Sequence, residues 1–242
     1  MDDPEISGRP CLPAGRFAEI IKILSLWERC PKDREGMYIP EIYTNNEPEE
    51  VRAFLKKNAF GILVTHSEEK NMATHIPLLF ETKENGKEIL HGHIARANEQ
   101  ARHLRDDMEV LCIFNGPHSY VSASWYDFEE VSTWNYIAVQ VRGKLSILDK
   151  NGLRKSLKTL MDTYEAPQEN PIDMNTLSDK TMRQINGIIG FEIEITSIEA
   201  AKKMSQNRDD KNHAAIVSRL REKGDSGENA VADEMEKGRN KK

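Results

Sequence analysis

Between Phe60 and Leu148 the chain alternates short apolar-patterned stretches with turn residues so closely that little length is left for helices. Strands are predicted over Phe60–Thr65, Met72–Phe80, Ile89–Ile94, Glu109–Phe114, Tyr120–Ala123 and Trp134–Leu148. Asn85-Gly86 is a two-residue hairpin signal, so the first three strands are expected to pair as a meander, and Asn115-Gly116-Pro117 is expected to be a turn. Strands this close together must be antiparallel neighbours, because a parallel pair needs a crossover of about a dozen residues or more. The pattern predicts a mainly β fold, an antiparallel β-barrel with peripheral helices, since closure hides the sheet edges.

The flanks carry helical patterns. Asn46-Glu47-Pro48-Glu49-Glu50 has the cap, early proline and acidic first turn of a helix start. A short helix is expected over Asn98–Arg105, and Leu153, Leu157, Leu160 and Met161 share a helical face that Ala166-Pro167 ends. A second helix is expected over Ser178–Ile185. Gly187–Ile198 returns to strand alternation and could complete the barrel; Lys203–Asp210 is expected to be loop and Ala214–Leu220 a short helix. Residues 1–36 stand apart as an extension, with prolines around one amphipathic pattern over Phe17–Arg29, which leaves a domain over 37–222 and a disordered charged tail over 223–242.

With 34 Lys and Arg against 40 Asp and Glu, the net charge is −6, so the basic footprint of a phosphate-neutralising domain is missing and direct DNA binding is not supported by charge. Cys11, Cys30 and Cys112 show no C-x-x-C or metal-type spacing, and Cys112 lies in the apolar run Val110–Phe114. Buried free thiols, with no signal-peptide order and no apolar run near the roughly 18 residues of a membrane span, point to a cytoplasmic protein without a membrane role.

Polar and aromatic residues gather at the strand ends. His91 and His93 share a strand face, a pair suited to a metal, an anion or a merely structural role, and no third metal ligand stands at a characteristic spacing. His93-Ile94-Ala95-Arg96-Ala97-Asn98 ends a strand and opens a helix, which makes Arg96, the Asn98 side chain and the free backbone N–H groups a candidate phosphate seat, or else a solvated Arg and an ordinary cap. Ser124–Tyr136 supplies Trp125, Tyr126 and Trp134, flat rings suited to stacking or to core packing. No nucleophile elbow, Walker loop or G-x-G-x-x-G is present, so hydrolase and kinase readings have no support.

Eight motifs occur in one order: Met37-Tyr38-Ile39-Pro40, Thr74-His75-Ile76-Pro77-Leu78-Leu79, Gly92 to Asn98, Phe114-Asn115-Gly116-Pro117, Tyr120-Val121-Ser122, Ser124-Trp125-Tyr126, Thr133-Trp134-Asn135-Tyr136 and Met204-Ser205-Gln206-Asn207-Arg208. Together they resemble the PaiB family of FMN-binding-type negative transcriptional regulators, from Met37 to about Leu220. The resemblance implies an FMN-binding split β-barrel of the pyridoxamine-phosphate-oxidase-like class, a homodimer with flavin sites at the subunit interface. It implies a phosphate held by Thr74, His75, His93, Arg96 and Asn98. Trp125, Tyr126, Trp134, Asn135, Ser205, Gln206, Asn207 and Arg208 would close over the isoalloxazine, from the same or the partner subunit. The family's role is negative control of degradative-enzyme and sporulation-type genes. Two other functions known on this fold stay open: an FMN-dependent reductase or oxidase, and a haem-binding protein with His75, His93 or His213 as axial ligand.

Overall fold

The computed structural model describes residues 36–67 and 70–239. The chain divides after Tyr38. The helix expected over Phe17–Arg29 and the thiols of Cys11 and Cys30 lie outside the described residues. The second unit begins at Ile39 and holds every element discussed below.

That unit is built on seven antiparallel strands: β1 (Phe60–His66), β2 (Asn71–Pro77), β3 (Leu79–Thr82), β4 (Glu88–Ala95), β5 (Met108–Val121), β6 (Thr133–Ile147) and β7 (Ile188–Lys203). Their order in the sheet is β2-β1-β5-β6-β7-β4-β3. β2 also lies against β4, so the sheet curls on itself into a barrel. The expected meander is replaced by two hairpins on opposite sides of that order, β1–β2 and β3–β4. The stretch expected as one strand over Met72–Phe80 breaks at Leu78, whose N–H donates to the Ala59 carbonyl and which is fully buried.

The expected turn at Asn115-Gly116-Pro117 is a bulge. β5 runs through it without ending, and only its register against β6 shifts between Asn115 and His118. A bulge accommodates the proline, which has no N–H for the ladder. Gly116 is required there, because a Cβ would stand 2.6 Å from the Phe54 ring. Inside the barrel Leu63, Leu90, Phe114, Val141, Leu145, Phe191 and Ile193 form one cluster. Each such side chain contributes about 1.5–3 kcal/mol on burial.

Among the described residues five α-helices flank the barrel: α1 (Pro48–Lys57), α2 (Lys150–Glu165), α3 (Asp179–Met182), α4 (Asp210–Lys223) and α5 (Ser226–Arg239). α1 starts with its proline in the first turn, as expected, but the N-cap is Glu47 rather than Asn46 and makes no side-chain cap bond. α2 is capped by Asp149, whose carboxylate accepts from the Gly152 N–H at 2.7 Å, and it turns Leu153 and Ser156 inward. The helix expected over Asn98–Arg105 is a 3-10 turn, Glu99–His103.

The largest departure is at the C-terminal end, where the segment expected to be a disordered tail forms α5. Its Val231, Ala232 and Met235 are buried against Ile216 and Leu220 of α4 and against Val121, Tyr126, Ile137 and Met204. Gly224, at φ 70°, makes the left-handed turn between the two helices. The charges that suggested disorder are paired: Arg221 with Asp233 and Glu236, Lys223 with Glu228, and Glu234 with Lys202 and Lys237.

Two substitutions test this architecture. Met235→Ala should destabilise the chain by about 2–5 kcal/mol, as for other core truncations, which a free tail would not do. Gly143→Ala should cost about 1–3 kcal/mol by overpacking, because its Cβ would meet the Glu194 carbonyl oxygen at 2.4 Å and Ile193 Cγ2 at 2.5 Å. Urea denaturation measures both.

Candidate functional site

The residues singled out above fall into two sets on different elements. The first gathers where β2 and the end of β4 approach each other. Thr74 stands on β2 opposite Leu63 of β1. Its hydroxyl donates to Gln100 Oε1 at 2.5 Å and accepts from Asn98 Nδ2 at 3.1 Å. Asn98 Oδ1 accepts from the Gln100 N–H, so this side chain is the cap of the 3-10 turn and the N–H group nearest the expected phosphate seat is already satisfied. Gln100 is buried and ties the turn to the barrel by donating to the Leu63 carbonyl, the Thr65 hydroxyl and the Met72 carbonyl.

His75, one residue on, faces outward by strand alternation and is exposed, its ring 6.5 Å from that of Phe60, which is 67% exposed. His93 is half-buried on β4, and burial lowers its proton affinity. The exposed Arg96 donates from Nε to the Asn186 carbonyl at 2.9 Å, an anchor that fixes the plane of its guanidinium. The contacts therefore join Thr74, Asn98 and Gln100 into one network and pair His75 with Phe60, while Arg96 is held separately against Asn186. Gln100 and Phe60 were not visible in the sequence pattern: one is a lone amide in a helix-like stretch, the other the first residue of an ordinary strand.

The second set lies along the start of β6, the end of β7 and the loop into α4. Trp134 is 53% exposed and packs with Tyr120 edge-on at 6.0 Å and with His118 at 6.3 Å. Asn135 is fully buried, accepting from the Ser205 hydroxyl at 3.0 Å and donating to Met235 Sδ at 3.3 Å. Gln206 bonds to backbone, donating to the Lys202 and Ile42 carbonyls and accepting from the Met204 N–H. Arg208 pairs with Glu130 at 2.8 Å and lies over the rings of Tyr126 and Phe128. Trp125 is covered by the Lys223 ammonium at 5.3 Å. Trp134 and Asn207 are therefore the members turned to the outside, while Asn135, Ser205 and Gln206 hold the segment in place. His213, a haem-ligand candidate, is only 6% exposed and shares a small cavity with Met235 of α5. Among the described residues no cluster of three or more His, Cys, Asp or Glu side chains is arranged to hold a metal ion, and no helix is long and apolar enough to cross a membrane.

Between the two sets runs an outward apolar face on β1 and β5. Ile62 pairs with Ile113 and Val64 with Leu111, all half-buried, next to the exposed Phe60. On the inner side of the same strand Cys112 is buried, and desolvation pushes its thiol up to about 12.

A mainly β, curled antiparallel sheet of this strand order is a split-barrel domain. Residues 37–197 match the family model of the "Putative FMN-binding domain". The "Protease synthase and sporulation protein PAI 2" of Bacillus subtilis (strain 168) is 38% identical over 201 residues, which cover 83% of this chain and 97% of that protein. The chain belongs to this PaiB family, and the family's domain makes FMN its cofactor. Two solved structures share the fold: the flavocytochrome Anf3 of Azotobacter vinelandii, with a TM-score of 0.56 at 13% identity over 76% of this chain and 80% of that one, and an FAD- and haem-binding protein of Mycobacterium smegmatis, with a TM-score of 0.54 at 14% identity over 72% and 79%.

The buried imidazoles set a pH dependence. Burial lowers the proton affinity of His91, His93 and His213 in the folded chain. Below the ordinary histidine value of about 6.5 the unfolded chain therefore binds more protons, and stability that is complete above that value declines as pH falls through it. Urea midpoints measured from pH 7.5 to 5.0 should fall steadily on the acid side, and His93→Gln should flatten part of that slope.

Proposed function

We propose that the protein is a flavin-binding homodimeric negative regulator of genes for degradative enzymes and for sporulation-type responses. The observation that carries this reading is the near full-length likeness to PAI 2, whose name records roles in protease synthesis and sporulation. Two features of the structure support it. The apolar row Phe60, Ile62, Val64, Leu111 and Ile113 is a surface that a second copy would cover. Its neighbours are the two residue sets, each of which holds only part of what a flavin needs.

In this reading Arg96, with His75 and His93, holds the phosphate of FMN. Thr74, Asn98 and Gln100 keep the β2 and β4 ends together so that those side chains stay oriented. Trp134 and Asn207, from the partner subunit, lie against the ring system, and Arg208 is held back by Glu130 on the Tyr126 and Phe128 faces. FMN, when bound, supplies reversible electron transfer. The chain's own part is to bind it, orient it and exclude water by dimer contact.

Direct DNA reading has little to rest on in the C-terminal helices. Lys211, Arg219, Arg221 and Lys223 are each paired with a carboxylate of the same chain. Regulation through a protein or metabolite partner fits that surface better, and a gel shift with the protein's own promoter region distinguishes the two.

Arg96→Ala should weaken FMN by about 1.5–3 kcal/mol, the worth of a charge-assisted hydrogen bond, or roughly ten- to hundredfold in Kd. Flavin fluorescence titration measures it; unchanged affinity removes Arg96 from the site. Ile62→Asp should give a folded monomer by light scattering and a chain that no longer retains FMN through desalting. A monomeric wild type that still retains FMN would overturn the interface placement.

A further inference from the structure

A cleft of about 530 Å³ opens between the β3–β4 hairpin, β7 and α2, and none of its residues belongs to either flavin set. Its volume lies in the range of small-molecule sites, roughly 300–1,000 Å³. His91 forms the floor. Its ring is 96% buried, being 4% exposed, and Nδ1 is bonded to the Ser156 hydroxyl of α2 at 2.7 Å. The other nitrogen, Nε2, is buried with no hydrogen-bond partner. Buried polar atoms without partners are uncommon and call for an explanation.

The walls suggest one. Glu81 of β3 brings Oε2 to 3.6 Å from Nε2, too long for a direct hydrogen bond. When Nδ1–H is donated to Ser156, Nε2 presents a lone pair, and the two acceptors can both take a hydrogen bond from one amino group that bridges them from the cleft side. Glu192, paired with His91 across β4 and β7, lies on the same side and adds negative charge, although it is held by Lys83 at 2.5 Å. Opposite, α2 presents the Lys155 ammonium, while Thr159, one turn on, lines the cleft with its hydroxyl donated to the Lys155 carbonyl at 3.2 Å. Lys155 is exposed and carries no ion pair among the described contacts. The floor and one wall therefore suit a cation while the helix wall suits an anion.

We propose that this cleft is a second ligand site, one that takes a small zwitterion of the free amino-acid class, its ammonium bridging Glu81 and His91 Nε2 and its carboxylate on Lys155. The electrostatics of the ring agree. Burial lowers its proton affinity, Glu81 and Glu192 raise it, and Lys155 and Lys83 lower it, so the imidazole stays neutral and available as an acceptor at neutral pH. A regulator of degradative enzymes with such a site would sense what those enzymes release, but the site stands on its own geometry whether or not FMN binds.

The test is a titration of protein labelled with 13C and 15N in its histidines, followed by NMR at the assigned His91 signals, with each of the twenty common amino acids as probe and n-butylamine and butyrate as single-charge controls. At least one amino acid should shift the His91 signals to saturation, with both controls at least tenfold weaker. Glu81→Gln and Lys155→Met, both on the open walls, should each weaken that binding at least tenfold while the remaining spectrum is retained. The proposal is overturned if no amino acid moves the His91 signals, if butylamine binds as tightly as the best amino acid, or if Lys155→Met leaves the affinity unchanged.

Discussion

β7 is paired along both edges, and the rest of the barrel takes its position from that double pairing. Residues from Phe191 onward form the ladder with β6, and Ile188–Glu194 form the ladder with β4, so Phe191 lies between Ile147 on one side and Gly92 on the other. Both neighbours require close packing at this seam. A side chain at Gly143 would strike the β7 backbone, and one at Gly92 would come within 3.3 Å of the Phe191 ring and, on the other side, within 2.8 Å of the Pro77 carbonyl of β2. The seam places the β3–β4 half of the barrel against the β1-β5-β6 half. It thereby decides which side chains of β2 and β4 meet at the barrel end.

The strands were legible because they obey a period of two with turn residues between them, and antiparallel closure followed from their spacing. What could not be read was where a turn residue fails to turn. Asn115-Gly116-Pro117 carries every local sign of chain reversal, yet the Phe54 ring lies where a side chain would otherwise be, and the strand continues through a bulge. Tertiary packing outweighs local preference there. The same holds for α5: its apolar contribution is only Val231, Ala232 and Met235, too sparse to stand out among charges, and those charges are neutralised by partners distant in sequence such as Lys202 and Arg221.

The candidate site was legible in part for a related reason. Rare residues in ordered motifs drew attention to Arg96, His93, Thr74 and Trp134, but composition does not reveal which of them face outward. Strand alternation separates Thr74 from His75, and the Asn98 side chain is consumed as a cap. Asn135 and Ser205 are buried together and act as struts beneath the aromatic cluster. Single residues whose role depends on a neighbour far along the chain, such as Gln100 bridging β1 and β2 or Phe60 beside His75, give no signal in one sequence.

The ladder orders also govern how the chain is made. β1 waits for β5, β4 waits for β7, and the outer side of the β5–β6 end is covered only when α5 arrives. Contacts between segments so far apart are slow to form, since the closure entropy must be met before any of them is rewarded. During synthesis from the N-terminal end, the apolar strands up to β6 leave the ribosome before the strand that joins the two halves of the sheet exists. The nascent chain therefore carries unpaired strand edges for most of its translation, and such edges favour aggregation.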